Sequence, residues 1–140
     1  METELLAQIK RHEGLRNHAY PDHLGYLTIG YGRLIDERRG GRITDEEAVF
    51  LLTSDVVACM RDMGSIKTYR QLDPVRQAAL VNMRFQLGGA GIREFQLMWA
   101  ALERYDYEDA AAEALDSKWA GQTPIRANEV AEQLRTGEWQ

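Results

Sequence analysis

Apolar residues recur at two different periods along this 140-residue chain, and each change of period marks an element boundary. Leu5, Leu6 and Ile9 fall at i, i+1 and i+4, a helical stripe that Gly14 closes as a C′ glycine, which predicts a helix over about residues 4–13. From Arg16 to Ile35 short runs rich in Tyr, Thr and Ile alternate with "PDHLG" and "GYG", the pattern of a small antiparallel hairpin or meander. The helical period returns at "TDEE", residues 44–47, a capping box that opens a helix to about residue 63 with Ala48, Leu52, Val56, Cys59 and Met63 on one face.

Three further helix starts are legible. In "LDPVRQAALVNMRFQLGG", Asp73 is placed to cap, Pro74 takes the first helical position and Gly88 closes. Its interior, "AALVNMRF", is apolar nearly all round and predicts the central buried helix. Residues 92–122 read as two or three short helices around Phe95, Met98, Trp99, Leu102, Leu115 and Trp119. In "TPIRANEVAEQLRTG", Thr123 is the expected cap, Pro124 leads and Gly137 stops.

The fold expected is therefore α+β and mostly helical: one domain spanning 1–140 in two lobes. A small lobe of about 14–62 carries the antiparallel sheet, which leans on the helix of residues 45–63, and a helical lobe combines about 1–13 with 63–140. A cleft between two lobes is where ligand sites tend to lie.

Composition narrows the function classes. Hydrophobic content of 44% and charged content of 28% suit one globular core without staples, and a single cysteine, Cys59, forms no internal disulfide. The net charge of −5 sits wholly in residues 103–140, where nine acids face four bases. That balance opposes a nucleic-acid role, because phosphate neutralisation needs clustered Lys and Arg. The basic run "ERRGGR" at 37–42 reads as a solvated loop. The first residues hold acids and no long apolar run, so neither a signal peptide nor stable membrane insertion is expected.

The candidate chemistry lies in "HEGLRNHAYPDHLGYLTIGYGR", residues 12–33. Glu13 follows Ile9 by four residues, on the apolar face and in the last helical turn. Shielding and the negative end of the helix dipole would both favour its protonated form, as a general acid requires. Asp22 follows Pro21 in a turn near the amides of His23 to Gly25, which predicts an ionised carboxylate. Thr28, on a strand just past the turn, offers a hydroxyl to Asp22 or to a water. Two carboxyls in opposed environments are the equipment for glycoside hydrolysis. Each residue also has a plainer reading, as a solvated helix-end Glu, an Asx-turn Asp and a strand Thr.

The stretch "HEGLRNHAYPDHLGYLTIGYG" closely resembles the signature of phage-type lysozymes, the T-even bacteriophage family of muramidases, with "TIGYG" intact. "LDPVRQAALVNMRFQLGGAG" and "SKWAGQTPIRANEVAEQLRTGEW" are similar to the family's central helix and C-terminal segments, so the resemblance covers nearly the whole chain; the region between Ile35 and Ile43 is shorter than in the T-even enzyme. The resemblance implies a lysozyme-like fold and hydrolysis, with no cofactor or metal, of the β-1,4 bond between N-acetylmuramic acid and N-acetylglucosamine in peptidoglycan. Glu13, Asp22 and Thr28 would be catalytic. Leu34, Phe85, Gln86 and Arg126 would bind substrate, Arg126 also as a partner of Glu13. It further implies a monomeric endolysin that stays in the host cytoplasm until a holin releases it to the wall; a glycan-binding or phage structural module is the alternative.

Departures from the family pattern are part of the reading. Arg33 stands where the T-even enzyme has His, and could pair with Asp55. Met98 and Glu113 replace a Ser and an Asn that contact sugar, so no role passes to them. His12, His18 and His23 lack metal-ligand spacing, and "GGAGIRE" lacks the third glycine of a dinucleotide loop. Trp99 and Trp119 read as core, and Cys59 as a structural thiol without basic neighbours.

Overall fold

The computed structural model describes residues 2–35 and 41–140. Most of the basic run at 37–42, and the middle of the shortened segment between Ile35 and Ile43, lie outside the described residues. The architecture is the lysozyme-like α+β fold read from the sequence: eight helices among the described residues and one three-stranded antiparallel sheet near the N-terminus. The contacts divide the chain into two compact units, Met1–Leu51 and Leu52–Gln140, with the division falling inside one long helix.

The first unit opens with α1 (Glu2–Glu13), whose last turn carries Lys10, Arg11 and His12 against the negative end of the helix dipole. Gly14 ends it at φ +70°, its N–H donating to the Lys10 carbonyl at 3.0 Å. The strands β1 (Arg16–Pro21), β2 (Leu27–Gly30) and β3 (Arg33–Leu34) follow in spatial order β1-β2-β3. β1 and β2 pair antiparallel with a register shift between Arg16 and Tyr20, and β2–β3 places Thr28 opposite Leu34 and Ile29 opposite Arg33. The loop joining β2 to β3 turns on Gly30 and Gly32, at φ +68° and +72°, a backbone region that glycine enters without strain.

The long helix α2 (Asp45–Met63) starts on the expected capping box. The Glu47 N–H donates to Thr44 Oγ1 at 3.1 Å and the Thr44 N–H returns to Glu47 Oε1 at 3.2 Å. Arg33 of β3 grips the same Glu47 through Nη2, at 3.0 and 2.9 Å from its two carboxylate oxygens. Asp55, the partner the sequence offered for Arg33, belongs to the second unit; within the first unit Arg33 is bound to Glu47 in the first turn of the same helix.

The second unit holds the rest of α2 and α3 (Lys67–Arg70), α4 (Pro74–Arg93), α5 (Gln96–Glu103), α6 (Tyr107–Leu115), α7 (Lys118–Gln122) and α8 (Pro124–Thr136). Asp73 caps α4, its Oδ1 accepting from the Arg76 N–H at 3.0 Å, with Pro74 in the first turn. α4 carries the centre of the core through Ala79, Leu80 and Met83, all fully buried. It packs on α8, α8 on α6 and α6 on α5, with Ile92, Met98, Leu102, Val130 and Leu134 closing the interior. At 25 cal/mol per Å², each such side chain contributes about 1.5–3 kcal/mol of transfer free energy.

Gly88 breaks the helical conformation where the sequence places a stop, at φ 78° and ψ 167°, and a second short helical segment follows directly to Arg93, so the span of α4 is two helical segments meeting at a kink. One local expectation is corrected. Thr123 does not cap α8 with its side chain; its hydroxyl donates backwards to the Trp119 carbonyl at 3.1 Å and so closes α7 instead. Among the described residues no helix is long and apolar enough to cross a membrane.

Candidate functional site

Asp22 sits where the turn between β1 and β2 gathers amides. Its Oδ1 accepts from the Leu24 N–H at 2.8 Å and the Tyr26 N–H at 2.9 Å, while its own backbone pairs with the Tyr26 carbonyl and the Gly25 N–H. The Tyr26 amide, foremost among these, holds the carboxyl below the usual aspartate range, with the Leu24 amide and the nearby His23 acting the same way. Asp22 is thus an ionised group fixed by backbone, as its position after Pro21 predicts. Both of these amide bonds fall on Oδ1.

Thr28 is the sole buried residue among the described residues of 1–51, at 5% exposure. Its hydroxyl donates to the Tyr26 carbonyl at 3.2 Å, where the sequence offered Asp22 or a water, so its link to Asp22 is indirect. One residue, Tyr26, offers its N–H to Asp22 and its carbonyl to Thr28 and to the Asp22 N–H, tying the two candidates through main chain. Leu34 lies opposite Thr28 on β3 and lines a cavity of about 350 Å³ with Arg33, Ile35 and Thr44.

Glu13 ends α1 and rests on the β2–β3 loop. A methyl group built at Gly32 would meet Glu13 Oε2 at 2.5 Å and Cδ at 2.7 Å, so the carboxyl lies directly over the bare Cα of Gly32. The shielding expected from the Leu5 and Ile9 face is not supplied: Glu13 is exposed, and those two residues are themselves 51% and 40% exposed. The apolar stripe of α1 is real, yet it does not close over the carboxyl.

The remaining candidates belong to the helical unit. Phe85 and Arg126 line one apolar groove of about 430 Å³ with Val56, Met60, Val81 and Trp139. Arg126 is fixed there by Asn82, with Nε donating to Oδ1 at 2.8 Å and Nη2 to the carbonyl at 3.2 Å. Gln86 is elsewhere engaged: its Oε1 accepts from Trp119 Nε1 at 2.9 Å, satisfying the indole of a tryptophan only 4% exposed. Trp119 in turn borders a second cavity of about 570 Å³, with Phe95, Met98 and Glu113 in its lining; Met98 is fully buried.

Sequence reasoning missed three contributors. Gly32 was visible only as a turn glycine, and its role as the seat of Glu13 depends on where α1 ends. Tyr26 acts through main-chain atoms and carries no side-chain signal. Asn82 did have one, being the odd polar residue inside "AALVNMRF". Cys59 likewise has a basic neighbour that was not expected, Arg84, whose Nη1 donates to Sγ at 3.3 Å while Nε pairs with Asp62.

The Phage lysozyme family profile matches residues 10–134. The chain is similar to the pre-baseplate central spike protein of Enterobacteria phage T4, at 35% identity over 92% of this chain but only 27% of that protein, so it spans about a quarter of that relative's length. It is similar to probable T4-type lysozyme 1 of Dictyostelium discoideum, at 29% identity over 98% of this chain and 96% of the relative. An endolysin of Acyrthosiphon pisum secondary endosymbiont phage 1 is 33% identical over 82% of this chain and 76% of its own.

Proposed function

The chain belongs to the phage lysozyme family, and from that premise we propose that it is a muramidase-type peptidoglycan hydrolase that cuts the β-1,4 bond between N-acetylmuramic acid and N-acetylglucosamine. Glu13 protonates the glycosidic oxygen as general acid. Asp22, with Thr28, orients a water that attacks C1 of the muramic acid ring from the opposite face, so the configuration inverts. An inverting pair of this kind stands about 6.5–9.5 Å apart, with room for that water between the carboxyls.

The observation that carries this reading is the state of Asp22. Two backbone amides bind one carboxylate oxygen and hold the group ionised, which suits a base that must accept a proton from water. The link through Tyr26 gives Thr28 a fixed place beside it. Leu34, Phe85, Gln86 and Arg126 are assigned to substrate binding on the family resemblance. On the same footing the protein acts as a monomeric endolysin, held in the host cytoplasm until a holin opens the way to the wall.

A second reading is favoured by one comparison. The similarity to a central spike protein raises the alternative of a phage structural module that grips glycan without cutting. Turbidity of outer-membrane-permeabilised Gram-negative cells decides between them. Wild type clears the suspension and Glu13→Gln, which keeps shape without the proton donor, does not; equal clearing by both, or by neither, removes the enzymatic assignment.

A further inference from the structure

Residues 3–13 of α1 are all exposed, so within the first unit no buried contact determines where its last turn stands. Two contacts tie that turn to the β2–β3 loop. One is the Glu13 carboxyl over Gly32; the other is Lys10, whose Nζ lies 5.4 Å from the centre of the Tyr31 ring. Lys10 and Glu13 are three residues apart and so neighbours on the helix surface, and Tyr31 directly precedes Gly32. The contacts form two adjacent rungs between the same two elements. Lys10 also accepts, through its carbonyl, the Gly14 N–H that closes the helix just beyond Glu13.

We propose that Lys10 and Tyr31 are positioning residues for Glu13: the ammonium seated on the ring holds the last turn of α1 against the loop, and with it the carboxyl over Gly32. The inference rests on the reading of Glu13 as the acid. A cation over an aromatic face at an exposed site shifts an equilibrium by only about two- to fivefold. Such a contact is too weak to hold a fold. It is strong enough to bias where one helix end sits, and turnover reads that bias directly, because displacement of a reacting group is costly. Arginine keeps the cation and phenylalanine keeps the ring, whereas methionine removes the charge but retains an unbranched stem.

The test measures kcat and KM on soluble glycan–peptide fragments of peptidoglycan for wild type, Lys10→Met, Tyr31→Leu and the double variant, with Lys10→Arg and Tyr31→Phe beside them. Each truncation is expected to lower kcat about two- to fivefold at constant KM, and the double variant to lose no more than either single. The two conservative variants should retain turnover, and thermal midpoints should not move. Losses that multiply in the double variant, conservative variants as impaired as the truncations, an effect confined to KM, or unfolding would each overturn the inference. Glu13→Gln in the same series separates the two levels: activity in that variant removes the proposed function, whereas its inactivity alongside uncoupled Lys10 and Tyr31 removes this inference alone.

Discussion

Replacing Gly32 by alanine probes the seat of Glu13 with the smallest possible change. The added Cβ would stand 2.5 Å from Glu13 Oε2, and restoring an ordinary contact of 3.4 Å moves that oxygen by about 0.9 Å. The carboxyl is the end of a flexible side chain, so it yields and the steric cost to folding is small. The backbone cost is separate: at φ +72° an alanine loses about 1–2 kcal/mol, offset by about 0.4–1 kcal/mol from a less flexible unfolded chain. Gly30 supplies the control. Its φ of +68° imposes the same backbone penalty, and a methyl group there meets nothing within 4 Å. Both variants should therefore lose about 1 kcal/mol, a fall of roughly 2–8 °C in Tm. Only Gly32→Ala should lose turnover, by about 10- to 100-fold for a displacement near 1 Å. The assay is the initial rate of wall solubilisation beside a thermal unfolding curve. If the two variants turn over equally, the contact between Gly32 and Glu13 has no part in the chemistry.

Two further outcomes follow from the helical unit. Asp62 accepts from Arg93 and Arg84, and these guanidinium bonds bring its carboxyl down from 3.8 to about 2. A depressed carboxyl stabilises the fold above its unfolded value and loses that contribution as pH falls through the folded one, so the stability gap between wild type and Asp62→Asn in urea melts should be full above pH 4 and shrink towards pH 2; a gap independent of pH refutes this. Gln86→Leu strands the buried Trp119 indole N–H, and should cost about 1–3 kcal/mol in the same melts; an unchanged midpoint would show that this bond carries no stability.

What the sequence disclosed, and what it withheld, follows from the range of each interaction. Gly14, the Thr44–Glu47 box, Asp73–Pro74 and Gly137 act within one or two helical turns, and every one of them lies at the boundary it announced. The turn after Pro21 likewise delivered Asp22 to the amides expected of it. α3 was not foreseen because it is one turn long and begins at Ile66 without a side-chain cap. Thr123 misled because a hydroxyl bonds backwards as readily as forwards, and the fold selects the direction. The partner of Arg33, the exposure of Glu13 and the engagement of Gln86 by Trp119 depend on which surfaces meet, which no local pattern encodes.

The residue shared by Asp22 and Thr28 bears on how this region tolerates change. Because both bonds use main-chain atoms of Tyr26, its phenol ring is expendable for this purpose, and any residue with an N–H could take over the connection. Proline is the exception. Lengthening the bend at 23–25 by one residue, by contrast, would carry the acceptor and the hydroxyl out of step, so in this chain the count of residues in that bend constrains the pair.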